Sequence, residues 1–164
     1  MIRIAIVEDD AQAAQQLQQY VERFGEENQI QTQITIFFDG AKLAGNYQPI
    51  WDLLLLDVDM PVMDGFETAR SIRESDPEVC IVFVTNLAQY AIRGYDVDAL
   101  DYLLKPVNYY ALAMRFKRIL RLLRTRENDA LMLKRGGDTV RVPLSHIIMW
   151  RPLIMSCSTT QPGR

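Results

Sequence analysis

LLLLDVDMPVMDG, residues 53–65, decides the architecture. Leu53, Leu54, Leu55 and Leu56 are apolar without alternation. A strand with one wet face would alternate, so this run suits a central parallel strand covered by helices on both faces. It ends on an acid, Asp57. Met60-Pro61 then breaks the chain, and Asp64 can cap a helix running from Gly65 to about Ser75.

The chain repeats this plan on either side. Ile2 to Val7 is a short apolar run ending in Glu8, Asp9 and Asp10. Ala14, Leu17, Val21 and Phe24 then recur at helical spacing, and Gly25 is expected to close that helix. Ile34 and Ile36 alternate with threonines, as in a strand with one less buried face, and Asp39-Gly40 reads as the turn after it. Beyond the turn at Asp76-Pro77, Val79 to Val84 predicts a buried strand ending at Thr85. Leu87 to Gly94 predicts a short helix, and Leu100 to Leu104 a last strand ended by Lys105-Pro106. Leu112, Phe116, Ile119 and Leu123 give the stripe of a final helix. Strands alternating with helices in this way predict an α/β fold, a doubly wound parallel sheet with helices on both faces. Ligands of such sheets sit beyond the carboxyl ends of the strands, near a topological switch point.

The polar residues fall at that edge. One strand ends in Glu8-Asp9, another in Asp57, another in Thr85 and the last in Lys105. Carboxylates converging there repel one another and raise one another's pKa values. A hard divalent cation relieves the conflict: Mg²⁺ takes oxygen ligands and keeps positions open for phosphate oxygens. Asp57 can then attack phosphorus and become an acyl phosphate. Such a transfer needs mainly positioning and charge neutralisation. Lys105 offers a compact point charge and the Thr85 hydroxyl a hydrogen bond. Singly, each residue reads as a helix cap or a loop solubiliser; the matching chemistry of four strand ends is what carries weight.

Composition narrows the setting. The 164 residues are 49% hydrophobic and 24% charged, ordinary for a globular chain, with room for one domain and a fragment of another. No apolar run approaches the ~20 residues of a membrane span. The start is too short for a signal peptide, so a cytoplasmic location is expected, with Cys80 and Cys157 as reduced thiols. A net charge of −3 speaks against the whole chain being a nucleic-acid binder. Six cations (Arg115, Lys117, Arg118, Arg121, Arg124, Arg126) and no acid lie between Val107 and Arg126, either a solvated helix face or an interaction surface.

IVEDD (6–10), LLLLDVDMPVMDG (53–65), FVT (83–85) and DYLLKP (101–106) resemble the four signature blocks of response-regulator receiver domains, in order and spacing, across residues 1–126. The resemblance implies a flavodoxin-like five-stranded sheet of order 2-1-3-4-5. It implies that Asp57 accepts a phosphoryl group from a sensor histidine kinase and is a phosphoacceptor rather than a turnover enzyme. Asp9 would ligate Mg²⁺ directly, Glu8 through water, Asp57 also directly, and Asp59 through its backbone carbonyl. Thr85 and Lys105 would hold the phosphoryl group. Tyr102 would be the aromatic switch that follows Thr85 inward, where a bare reading gives only a strand aromatic. Asn86 and the acidic side chain of Asp59 depart from the commonest pattern, which bears on the lifetime of the phosphate.

FVTNLAQYAIRGYDVDALDYLLKPV (83–107) is similar to receivers that precede a LytTR-type DNA-binding domain, and LMLKRGGDTVRVPLSHIIMW (131–150) to the opening strands of such a domain. Alternation at Leu131, Leu133, Val140 and Val142 around Gly136-Gly137 independently reads as a hairpin. The expected organisation is a receiver over 1–126, an incomplete β-rich start of the second domain over 127–150, and a disordered tail without family resemblance over 151–164, left by truncation or a reading-frame change. Promoter DNA is thus a partner expected of the full-length regulator but not, sequence-specifically, of this chain, since isolated hairpins are marginal in water. No membrane partner is expected. A homodimer is expected through the last strand and last helix of the receiver, setting Asp96, Asp98 and Asp101 of one copy against arginines of the other.

The competing enzyme reading takes Asp57-Val58-Asp59 as the nucleophile motif of a haloacid-dehalogenase-like phosphatase. Pro61 stands where that family usually has Thr or Val, the motif lies on the third strand rather than the first, and Glu8-Asp9 would be left without a role. A flavodoxin-like cofactor binder would need a Ser/Thr/Gly-rich phosphate loop where Glu8, Asp9 and Asp10 would repel phosphate.

Overall fold

The computed structural model describes residues 1–86, 97–128, 130–135 and 138–143, with side chains described as far as residue 125. Its elements are β1 (Ile2–Val7), α1 (Ala11–Glu27), β2 (Thr32–Phe37), α2 (Gly40–Gly45), β3 (Leu53–Asp57), α3 (Gly65–Ser75), β4 (Cys80–Thr85), β5 (Asp101–Leu104), α4 (Tyr109–Asn128), β6 (Ala130–Arg135) and β7 (Asp138–Pro143). The first five strands form one sheet in the order β2-β1-β3-β4-β5, parallel throughout, as the sequence leads one to expect. The helix expected over 87–94 and the tail over 151–164 lie outside the described residues.

The leucine run is apolar on both faces because β3 is covered on both faces. Every residue of β3 and β4 is buried. Ala5, Val7, Leu54, Leu56, Ile81 and Phe83 point to one side, where Leu43 of α2 and Phe66, Ala69 and Ile72 of α3 complete a cluster. The alternate residues face the other side. There α1 buries Ala14, Leu17, Val21 and Phe24, and α4 buries Leu112, Phe116 and Ile119; the Phe24 and Phe116 rings meet edge-on at 5.4 Å. Each Leu, Val, Ile or Phe side chain so removed from water contributes about 1.5–3 kcal/mol.

Helix caps behave largely as read. Asp64 accepts from the Glu67 amide, and the Glu67 side chain reaches back to the Asp64 amide, a complete capping box for α3. Asp10 caps α1 through the amides of Gln12 and Ala13. Gly25 does not end α1. It lies within the helix, and the position suits glycine because a Cβ there would stand 2.8 Å from the Ile30 carbonyl oxygen as the chain doubles back into β2. The helix ends at Glu27, and the left-handed residue is Gln29, with φ 55°. Asp39, read as a turn residue, caps the short α2.

The chain divides into two compact units, Met1–Arg121 and a second from Leu122 onward, the division falling within α4. In the second, β6 and β7 pair antiparallel from Ala130–Pro143 to Arg135–Asp138, the hairpin expected from the alternation. Gly136-Gly137 lies outside the described residues.

Candidate functional site

Register alone brings the acids together. Val7 of β1 stands opposite Leu56 of β3, so the residues that follow, Glu8 and Asp57, leave the sheet side by side. Asp57 stands opposite Val84 on β4, and Thr85 opposite Leu104 on β5, after which comes Lys105. All these residues emerge at the carboxyl edge. After β1 the chain passes to the face of α1, and after β3 to the face of α3, so the β1–β3 seam is the switch point of the sheet. Gly65 lets α3 begin close beneath: a Cβ there would lie 2.2 Å from the Asp57 carbonyl oxygen.

Glu8, Asp9 and Asp57 each offer a carboxylate oxygen within 4.8 Å of the others. Glu8 and Asp57 are buried, and Asp9 is exposed at the mouth. The Lys105 ammonium is 2.8 Å from Asp57 Oδ2 and 2.8 Å from both oxygens of Glu8. Burial dominates the titration of Glu8 and, helped by the neighbouring Asp57 charge, raises its pKa to about 7 against the pull of Lys105. Burial draws the Lys105 ammonium down, but its hydrogen bonds to Asp57 and Glu8 outweigh that and hold it above its ordinary range. One cation facing three carboxyls leaves the cluster short of positive charge. The donor set is all oxygen and partly open, which fits a hard divalent cation such as Mg²⁺.

The remaining sequence candidates take distinct places. Asp59 is exposed; its side chain lies outside the three-acid cluster, while its amide donates to Asp57 Oδ1 at 3.3 Å. Thr85 is fully buried at the end of β4. Tyr102 stacks on Phe83 with ring centroids 5.4 Å apart, its hydroxyl oxygen buried. Asp10, third of the early acids, is occupied as a cap, and the Ala13 and Gln12 amides hold its carboxyl below its ordinary pKa. On the last helix, Arg115 and Arg118 approach Asp101 of the same chain at 3.1 and 3.6 Å. The acid–arginine pairing expected between copies therefore already exists within one. Asp96 lies outside the described residues.

Sequence reading missed Arg73. Its guanidinium gathers four backbone carbonyls from two loops. An arginine in the last turn of an amphipathic helix ordinarily reads as solvated, and no spacing in the sequence distinguishes this one.

The family model for the response regulator receiver domain matches residues 4–117. An uncharacterized response regulatory protein of Yersinia pestis is 36% identical over 137 residues, covering 82% of this chain and 55% of that protein. Transcriptional regulatory protein NatR of Bacillus subtilis is 32% identical over 145 residues, covering 84% and 58%. Sensory transduction protein LytT of the same species is 34% identical over 120 residues, covering 72% and 48%. The chain thus spans about half the length of these curated relatives. Among solved structures, the BeF3-activated DrrB receiver domain is 28% identical with a TM-score of 0.60, covering 74% of this chain and 98% of that one. The response regulatory domain of mrkE from Klebsiella pneumoniae is 26% identical with a TM-score of 0.65, covering 76% and 99%.

Proposed function

Because the chain belongs to the response regulator receiver domain family, we propose that Asp57 is the phosphoacceptor of a two-component signalling protein, charged by a sensor histidine kinase. The observation that carries this reading is the convergence of Glu8, Asp9 and Asp57 within 4.8 Å, bridged by Lys105.

An Asp57 carboxylate oxygen attacks the phosphorus of the donor. A new O–P bond forms as the bond from phosphorus to the donor histidine nitrogen breaks, and that nitrogen leaves with the electron pair. Asp9 and Asp57, with Glu8 and the Asp59 carbonyl, would hold Mg²⁺, which when bound would supply charge neutralisation for the phosphoryl oxygens. Lys105 moves from its carboxylate partners to a phosphoryl oxygen. The Thr85 hydroxyl donates to another, and Tyr102 follows Thr85 inward. In this reading the phosphoryl group on Asp57 is a signal, and the chain acts as a switch.

The output proposed is transcriptional control from the cytoplasm, by a dimer formed through β5 and α4. Asp101 exchanges its own arginines for those of the partner copy. The full-length regulator, and not this chain alone, would contact promoter DNA, through a LytTR-type module that residues 127–150 begin. The relatives named as transcriptional regulators and the β6–β7 hairpin support this. Among the described residues no helix is long and apolar enough to cross a membrane.

Intact-mass spectrometry after incubation with acetyl phosphate and MgCl₂ tests the reading. The expected result is one phosphoryl adduct, lost on chelation of the metal and absent in Asp57→Asn. An adduct that persists in that variant would overturn the assignment.

A further inference from the structure

The strand that carries Lys105 is the least secured in the sheet. β5 has four residues and, among the described residues, pairs on one side only, with β4. A parallel edge strand this short has few ladder bonds to fix its register. A slip of one position would move Lys105 by ~3.3 Å along the strand and turn its side chain to the opposite face.

Arg73 stands at the other end of that strand. Its Nε donates to the Val97 carbonyl at 2.8 Å and its Nη2 to the Asp98 carbonyl at 3.3 Å, both in the turn leading into β5. Its Nη1 donates to the Asp76 and Val79 carbonyls at 3.2 and 2.8 Å, in the loop leading into β4. One rigid planar fork therefore measures off the start of β5 against the start of β4. Each end of the fork is itself braced. Asp76 is held by the Tyr47 hydroxyl at 2.8 Å and accepts from the Glu78 and Val79 amides. Val97 is buried in the cluster that contains Phe83, and Asp98 takes the left-handed conformation, φ 47°. From this start the ladder runs on in register, Leu100 amide to Ile81 carbonyl, then Lys105 amide to Thr85 carbonyl.

We propose that Arg73 is a positioning residue for phosphoryl transfer, setting the register of β5 and hence the reach of Lys105; this rests on Asp57 being the phosphoacceptor. Glu8 and Asp9 follow β1 and Asp57 ends β3, whose pairing does not involve Arg73, whereas Lys105 directly follows β5. Loss of the fork therefore impairs transfer while leaving the metal-binding acids in place.

The test uses the full chain as wild type, Arg73→Ala and Arg73→Lys. The rate of Asp57 phosphorylation is followed with acetyl phosphate, from which acetate departs as the O–P bond forms. Mg²⁺ affinity is measured by calorimetry, and amide exchange by mass spectrometry. Misplacement of a reacting group by 1 Å can cost ~100-fold, so Arg73→Ala is expected to phosphorylate about tenfold or more slowly. Its Mg²⁺ affinity should not fall, since an ammonium drawn away from Glu8 and Asp57 frees their oxygens, with exchange protection lost over residues 101–105 and retained over 53–57. Arg73→Lys should fall between, because one ammonium cannot span both loops, and it carries the test if Arg73→Ala does not fold. An undiminished rate, or a metal affinity that falls as far as the rate, would overturn the proposal. Absence of any adduct in wild type would instead remove the phosphoacceptor reading. The exchange pattern would still decide whether Arg73 fixes β5.

Discussion

Glu8→Gln should stabilise the metal-free protein, and the gain should grow with pH. The Glu8 carboxyl is buried beside Asp57, and its pKa lies at about 7 against an ordinary 4.5. A folded-state pKa above the unfolded one means that the folded state holds the proton more tightly. The associated stability is complete below about 4.5 and is lost as pH rises through about 7. At about 1.4 kcal/mol per unit, the shift corresponds to about 3 kcal/mol once the group is fully ionised. Between about pH 5 and about pH 8.5 the change is about 2.5 kcal/mol, because a part is already gone at the lower value. Glutamine keeps the shape and cannot ionise, so subtracting the two proteins isolates this group from the others that titrate. The assay is urea unfolding by circular dichroism in EDTA at both pH values. The variant should gain on wild type by about 2.5 kcal/mol from the lower pH to the higher. A difference between the two proteins that stays within ~0.5 kcal/mol across that range would refute the argument that burial makes the Glu8 charge costly.

Gly65→Ala should lose about 1–3 kcal/mol in denaturant unfolding and slow phosphorylation, since its new methyl lies 2.2 Å from the Asp57 carbonyl oxygen and something must shift. Asp10→Ala, which removes the cap of α1 and no part of the proposed site, should cost about 1 kcal/mol in the same assay and leave phosphorylation untouched. Lys105→Ala should fold, since its partners are the site carboxylates and not the core, yet show little phosphorylation-induced dimerisation by sedimentation; wild-type dimerisation would count against its role.

Much of the fold was legible because four of the five sheet strands end at polar, reactive residues. Leu53 to Leu56 declares a strand buried on both faces, and Asp57 its carboxyl end; Val79 to Val84 and Thr85 repeat the statement. Short-range signals failed where the decisive contact is distant. Gly25 looks like a helix stop, but the Ile30 carbonyl and not the helix end demands it. Residues 40–45 are too few to show a helical period, so α2 read as a turn. Glu8 and Lys105 are 97 residues apart, and nothing local in either segment announces a 2.8 Å contact. Arg73 was invisible for the related reason that its acceptors are backbone carbonyls, which every residue has.

The separation of the acids from their lysine also bears on how the chain folds. Closing β1 against β3 needs only the first 57 residues and already places Glu8 beside Asp57. The neutralising ammonium arrives from position 105, at the edge of the sheet. A folding route that forms the central strands first must pass through a compact state holding a concentrated negative charge with no internal counter-ion. Protons, divalent cations and ionic strength all lower the energy of that state. The refolding limb of a chevron should therefore steepen in its dependence on Mg²⁺ and pH well before the native site exists. The requirements of the proposed phosphoryl transfer would then be felt as a barrier during the chain's own assembly.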